Sequence, residues 1–201
     1  MFPQILKTLR YTKTGWRNKI GLRNAGVIEG LKRTIYTEVL SLAAISKNDW
    51  INLEAIVPTD QNVEINISCP NLSSSHWPYS EQDSLLPGFE QFPKTKRRWC
   101  ICKIPPTSSH DLIDQIVDSG YSQIHASNTL YSIHGGLSGK LLIPYTLRIL
   151  EYIKKTHPHV EVICGGGVTG KNDVLRYRNA GADHVSMGTI CFTPWRLKFL
   201  H

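Results

Sequence analysis

From about residue 35 onward, short apolar runs alternate with segments of helical spacing. Six runs predict strands: Glu38–Ala44, Val63–Cys69, Trp99–Ile104, Gln123–Ser127, Glu161–Gly165 and His184–Gly188. An earlier run, Gln4–Leu9, predicts a seventh. Between them, Asp111–Ser119 sets Leu112, Ile113, Ile116 and Val117 on one helical face, and Pro144–Lys155 does the same with Leu147, Leu150 and Ile153. Pro144 suits a first helical turn, Lys154 and Lys155 a last one, and Gly120 falls where a C-terminal cap belongs. Asn172–Arg178 also has helical character.

Strand–helix alternation predicts a parallel sheet covered by helices. The choice between an open sheet and a closed barrel turns on the polar residues. Asn66, Ser68 and Cys69 end one predicted strand, Lys103 another, Asn128 and Thr129 follow a third, and Gly165–Gly167 and Gly188–Thr189 end the last two. Polar residues at the C-terminal ends of many strands predict a TIM-type β/α barrel with a site on that face. One domain over 1–201 is expected. The stretch Ser73–Lys96 is long, polar and proline-bearing, which predicts a loop.

Composition narrows the function classes. With 201 residues, 41% hydrophobic and 19% charged, the chain is an ordinary globular sequence at the short end for a barrel of about 250 residues. No apolar run approaches the roughly 20 residues of a membrane helix, and no secretory leader is recognisable. Membrane association is therefore not expected. The net charge of +7 attracts anions, but the basic residues are not interleaved with aromatics as base stacking requires, so nucleic acid is not the expected partner. Five cysteines without a CxxC pair predict buried reduced thiols, a cytoplasmic setting and no metal site. Cys100 and Cys102 would share one strand face.

Two glycine elements suggest a phosphate cradle. Gly165-Gly166-Gly167 follows one predicted strand and Ser186-Met187-Gly188-Thr189 the next, and late loops of barrels frequently bind phosphate together. Asn66-Ile67-Ser68-Cys69-Pro70-Asn71 places two asparagine amides around a thiol. On residue types alone this reads equally well as a binding segment or as a turn beside a small buried residue.

That segment resembles the signature of the dihydroorotate dehydrogenases, and further motifs agree in order. They are Lys7-Thr8, Asn18-Lys19-Ile20-Gly21-Leu22 with Asn24, Cys102-Lys103-Ile104-Pro105-Pro106, His125-Ala126-Ser127-Asn128-Thr129, Gly135–Gly139, Gly165–Val168 and Gly188-Thr189. The resemblance, over roughly residues 5 to 190, implies FMN-dependent oxidation of dihydroorotate to orotate in pyrimidine biosynthesis. It implies Cys69 as the base at substrate C5, as in class 1 enzymes, with hydride passing from C6 to flavin N5. Lys103 would offset charge on the reduced ring, and Lys7 would serve flavin and substrate. Asn18, Gly21, Leu22, Asn66, Asn71, Asn128 and Thr129 would hold substrate, while Gly139, Gly166, Gly167, Gly188 and Thr189 would hold FMN.

Against the family pattern the first barrel strand and the closing helix are expected to be missing, and His125 stands where many relatives carry a smaller or an amide residue. Bare strand edges would invite association, so homo-oligomers are among the outcomes allowed. Two other readings stay open: a catalytically inactive relative that binds flavin or phosphate, and a flavin-dependent reductase of another pyrimidine, such as a tRNA uridine.

Overall fold

The structure is a computed structural model and describes residues 8–21, 24–44, 46, 48–68 and 87–199. Six parallel strands form the main sheet: β3 (Leu40–Leu42), β4 (Val63–Asn66), β5 (Cys100–Ile104), β6 (Gln123–Ala126), β8 (Glu161–Cys164) and β9 (His184–Val185). They lie side by side in chain order, the arrangement produced when each crossover returns the chain beside the strand it just left. Each matches a predicted apolar run, with ends trimmed. The sheet does not close on itself among the described residues, since β3 and β9 are each paired on one side.

Register and the two-residue period sort the side chains into two faces. Val63, Ile65, Cys100, Cys102, Ile104, Ile124, Ala126, Val162 and Cys164 are buried on the outer face. The fully buried isoleucines there contribute roughly 1.5–3 kcal/mol each by leaving water. Ser41, Glu64, Asn66, Lys103, Gln123, His125 and Glu161 share the inner face. That face is concave. His125 reaches Ser186 just beyond β9, and Trp99, just before β5, meets His184 of β9 with ring centroids 5.1 Å apart.

Helices cover the outer face. α3 (His110–Asp118) starts where Ser109 Oγ accepts from Leu112 N at 3.2 Å and buries Leu112, Ile113 and Ile116. α4 (Ile143–Thr156) carries Pro144 in its first turn and Lys154 and Lys155 in its last, and buries Ile149, Leu150 and Ile153. α5 (Lys171–Asn179) is fixed by Asp173, whose Oδ2 accepts from Thr169 N and Oγ1, each at 2.9 Å. α1 (Val27–Arg33) and α2 (Asp49–Ile56) add cover that the apolar spacing had not predicted.

Two expectations need correction. Residues 4–7 of the predicted strand Gln4–Leu9 lie outside the described residues, but Leu9 is not in the parallel sheet. It opens β1 (Leu9–Thr12), which pairs antiparallel with β2 (Gly15–Asn18), and β2 pairs with β7 (Gly136–Ser138). A polar antiparallel ribbon therefore stands apart from the parallel sheet, and Trp16 packs on Phe192, which follows β9, with centroids 5.4 Å apart. The second correction concerns Ser73–Lys96, of which 73–86 lie outside the described residues. Phe89–Lys94 is a 3₁₀ turn, because Phe89 and Phe92 bury against Tyr121 and Trp50.

Candidate active site

The cleft that draws together most of the sequence-predicted residues among those described is at the C-terminal ends of β5, β6, β8 and β9, facing β2 and β7. It has a volume of about 380 Å³, within the few-hundred-Å³ range of small-molecule sites. Asn18, Lys103, Asn128, Thr129, Gly166, Gly188 and Thr189 all line it. Strand geometry explains the convergence, because parallel strands of similar length end at one edge and present successive termini to one space.

Asparagine amides fix the rim. Asn18 Nδ2 donates to the Gly136 carbonyl at 3.3 Å, tying β2 to β7. Asn128 Nδ2 donates to Ser68 O at 3.1 Å and Ser68 Oγ at 3.0 Å, linking the ends of β6 and β4. Asn66 Oδ1 accepts from Ser68 N at 3.1 Å and Ser68 Oγ at 2.8 Å, and Asn66 lines a different cavity, beside β3 and α1. Thr129 Oγ1 is buried at the cleft without a hydrogen-bond partner among the described residues.

Glycine permits the turn after β8. Gly167 has φ +75°, and a Cβ there would stand 2.7 Å from the Gly139 carbonyl oxygen and 2.8 Å from Lys140 Cα. Gly139 and Gly167, far apart in sequence, are thus packing partners behind the cleft rather than lining groups. From below, buried Tyr177 donates its hydroxyl to the Gly165 and Gly166 carbonyls at 2.9 and 2.7 Å. Tyr177→Phe removes this donor and is expected to lower stability by about 1–2 kcal/mol. Urea unfolding checks this; an unchanged midpoint would show that the hydroxyl does not hold the turn.

Beneath the cleft lies a polar cluster that sequence reasoning missed. Glu64 Oε2 lies 2.6 Å from His125 Nδ1, Glu64 Oε1 accepts from Ser41 Oγ at 2.8 Å, and Lys103 Nζ is 3.6 Å from Oε1. Burial by itself raises the Glu64 carboxyl, but the His125 hydrogen bond, the Lys103 ammonium and the Ser41 hydroxyl outweigh it and hold the group at about 2. A signal existed in the sequence: Glu64 and His125 interrupt apolar runs at positions with the inward parity of Asn66 and Lys103.

The thiols of Cys100, Cys102 and Cys164 are buried on the opposite face, as expected of packing cysteines, whereas Cys191, in the turn after β9, is exposed and departs from that expectation. Burial pushes Cys100 and Cys164 up to about 12 and raises Cys102 as well, which keeps them as protonated thiols that cannot take up a proton. Gly21 is described, with φ +68°, and does not line the cleft. Lys7, Leu22, Cys69 and Asn71 lie outside the described residues. No described helix is long and apolar enough to cross a membrane.

Known proteins share this architecture. A crystal structure of DHODH from Eimeria tenella in complex with ferulenol superposes with a TM-score of 0.68 at 18% identity, covering 91% of this chain and 64% of that one. A ligand-free DHODH structure from the same organism gives 0.54 at 19% identity, covering 67% of this chain and 47% of that one. The α/β-barrel fold is therefore shared, with this chain spanning about half to two thirds of those structures. Among curated proteins, the "dihydroorotate dehydrogenase B (NAD(+)), catalytic subunit" of Thermotoga petrophila is 26% identical over 200 residues, covering 87% of this chain and 72% of the relative. The protein of the same name from Halalkalibacterium halodurans is 27% identical over 211 residues, covering 90% and 68%. The family model described as dihydroorotate dehydrogenase matches residues 7–196, a stretch that holds every strand of both sheets and the whole cleft, and the chain belongs to that family.

Proposed function

We propose that this cleft binds FMN and dihydroorotate and that the chain oxidises dihydroorotate to orotate. The observation that carries the reading is convergence. A lysine ammonium, two asparagines and two late glycine turns, contributed by separate strand ends, line one space.

The residues present fit a flavin mononucleotide. The bare backbone at Gly166 and Gly188 allows close approach by a phosphate, Lys103 supplies a cation, and Thr129 Oγ1 offers a buried hydroxyl with no partner among the described residues. Gly139 and Gly167 would keep that cradle in shape, and Thr189, opening the short helix after β9, would contribute to it. Bound there, the flavin supplies the hydride acceptor. Lys103 would stabilise negative charge as it develops on the ring. Asn18 and Asn128, with Thr129, would orient the substrate's carboxylate and amides from the cleft wall, joined by Asn71 and Leu22, where positioning supplies much of the rate. Asn66 would act through Ser68, which its amide oxygen holds. Lys7 would serve both ligands, and the Cys69 thiolate would take the C5 proton. A cytoplasmic setting accords with the reduced thiols.

The test is spectroscopic. Protein purified with FMN is expected to be yellow, and anaerobic dihydroorotate is expected to bleach the flavin band. Cys69→Ala should remain yellow and fail to bleach. A colourless chain that takes up no FMN would reject the reading, and a yellow, unbleached wild type would reject catalysis while keeping flavin binding.

A further inference from the structure

The cluster under the cleft has a direction. An ionised carboxylate only accepts hydrogen bonds, so the hydrogen between Glu64 and His125 at 2.6 Å belongs to His125 Nδ1. In the uncharged ring, Nε2 is then a bare lone pair, and it lies 2.7 Å from Ser186 Oγ. Ser186 must therefore donate its one hydroxyl hydrogen inward. Its remaining capacity, as an acceptor, faces the cleft that Ser186 and His125 both line. The arrangement needs glycine at 165, where a Cβ would strike Ser186 Oγ. Lys103, also on the cleft wall, is held 3.6 Å from the same carboxylate. Within this buried group, with side chains only 11–20% exposed at His125, Glu64 and Lys103, each orientation constrains the next.

We propose that Glu64 and His125 are positioning residues that fix Ser186 as a hydrogen-bond acceptor on the cleft wall and hold Lys103 beside it. The cleft then selects a ligand whose ring edge presents an N–H donor next to an electron-rich atom. This rests on the flavin reading above in one respect: the pyrimidine half of a flavin offers such an edge, an imide N3–H flanked by carbonyl oxygens. No bond is made or broken by these residues; they set which partner the cleft accepts.

Two measurements on the full chain test it. In ligand-free protein with ¹⁵N-labelled histidine rings, the His125 signal, identified by its loss in His125→Asn, is expected to show hydrogen on Nδ1 and none on Nε2 in the uncharged ring. Glu64→Gln, whose amide can donate to Nδ1, is expected to erase that preference. An Nε2-protonated wild-type ring would overturn the proposal. The second measurement titrates the chain with FMN and with FMN methylated at N3, followed by flavin fluorescence. Wild type is expected to bind the methylated form roughly tenfold more weakly, as for loss of one well-placed hydrogen bond. Ser186→Ala, a small change on the cleft wall, should bring the ratio close to one. Equal wild-type affinity for the two flavins would overturn the selection. If wild type binds neither, the flavin reading fails, and the relay stands or falls on the tautomer alone. Covalent capture of Ser186 by a fluorophosphonate would also overturn it, because His125 would then be drawing the hydroxyl proton away to make a nucleophile.

Discussion

Gly167→Ala is expected to destabilise the chain by roughly 2–5 kcal/mol and to abolish flavin uptake. Two costs add. At φ +75° an alanine sits in the left-handed region, a penalty of about 1–2 kcal/mol. Its Cβ would also press on the Gly139 carbonyl and Lys140 Cα, which are backbone atoms and cannot rotate away. Overpacking of that kind costs about 1–3 kcal/mol. Domains of this size are stable by only about 5–15 kcal/mol, so the loss is a large share of the whole. The consequence for the cleft is direct, because the Gly139 segment and the turn after β8 form its back wall together. Gly170→Ala is the control. Gly170 has extended backbone, φ 179°, and a Cβ there meets nothing within 4 Å. Gly170 is the N-cap of α5, where alanine is poorer than glycine, so its stability change is expected to be about 0.5–1 kcal/mol, well short of the Gly167 loss. Urea unfolding of both variants checks the contrast, and equal losses would show that the crowding at Gly167 is relieved elsewhere.

Acid is expected to unfold the chain in a manner that depends on Glu64. The carboxyl has an ordinary value near 4.5 and is held at about 2 in the fold. It therefore binds its proton more weakly when folded, so its stabilisation is complete above about 4.5 and is lost as pH falls through about 2. At about 1.4 kcal/mol per tenfold change in proton affinity, that loss is roughly 3 kcal/mol. The groups facing Glu64 are the Ser41 hydroxyl, the His125 ring and the Lys103 ammonium, so protonation leaves a lysine beside a neutral acid. Asp114 and Asp183, both lowered in the fold, change stability in the same direction. Comparing wild type with Glu64→Gln by thermal melts from pH 7 to pH 2 isolates the Glu64 share. The variant should lose about 3 kcal/mol less over that range. An identical acid response in the two proteins would remove Glu64 from the account.

Much of the parallel sheet was legible because its strands are buried on the outer face and read as apolar runs. Trp99–Ile104 became Cys100–Ile104, and Gln123–Ser127 became Gln123–Ala126. The helices that could be read were those with a marked apolar face and punctuating residues, such as Gly120 after α3 and Pro144 at the start of α4. The ribbon formed by β1, β2 and β7 was illegible for the opposite reason. Leu9–Thr12 is exposed or half-buried throughout, so no alternation marks it, and its partner strand at Gly136–Ser138 is distant in sequence. At the site, the cleft-lining residues could be named from motifs, but their internal bonds could not. The sequence gives no sign that Asn66 spends its amide oxygen on Ser68, or that Asn128 reaches across two strands. Residue 125 drew notice only as a departure from the family, whereas the structure gives its imidazole two partners, on β4 and just after β9.

The antiparallel ribbon gives the chain two separable layers of cooperativity. Each parallel ladder joins neighbours in chain order, so the large sheet can assemble from short closures. The union of β2 with β7, by contrast, brings together residues 118 apart, as Asn18 and Gly136 do, and carries the larger loop-closure entropy. Its ladder is three residue pairs long, Trp16–Asn18 with Gly136–Ser138, and stands outside the large sheet, so it can open as a unit of its own. Sub-global opening there would uncover the cleft while every parallel ladder stays paired, so a ligand can be admitted without melting the sheet that shapes its pocket.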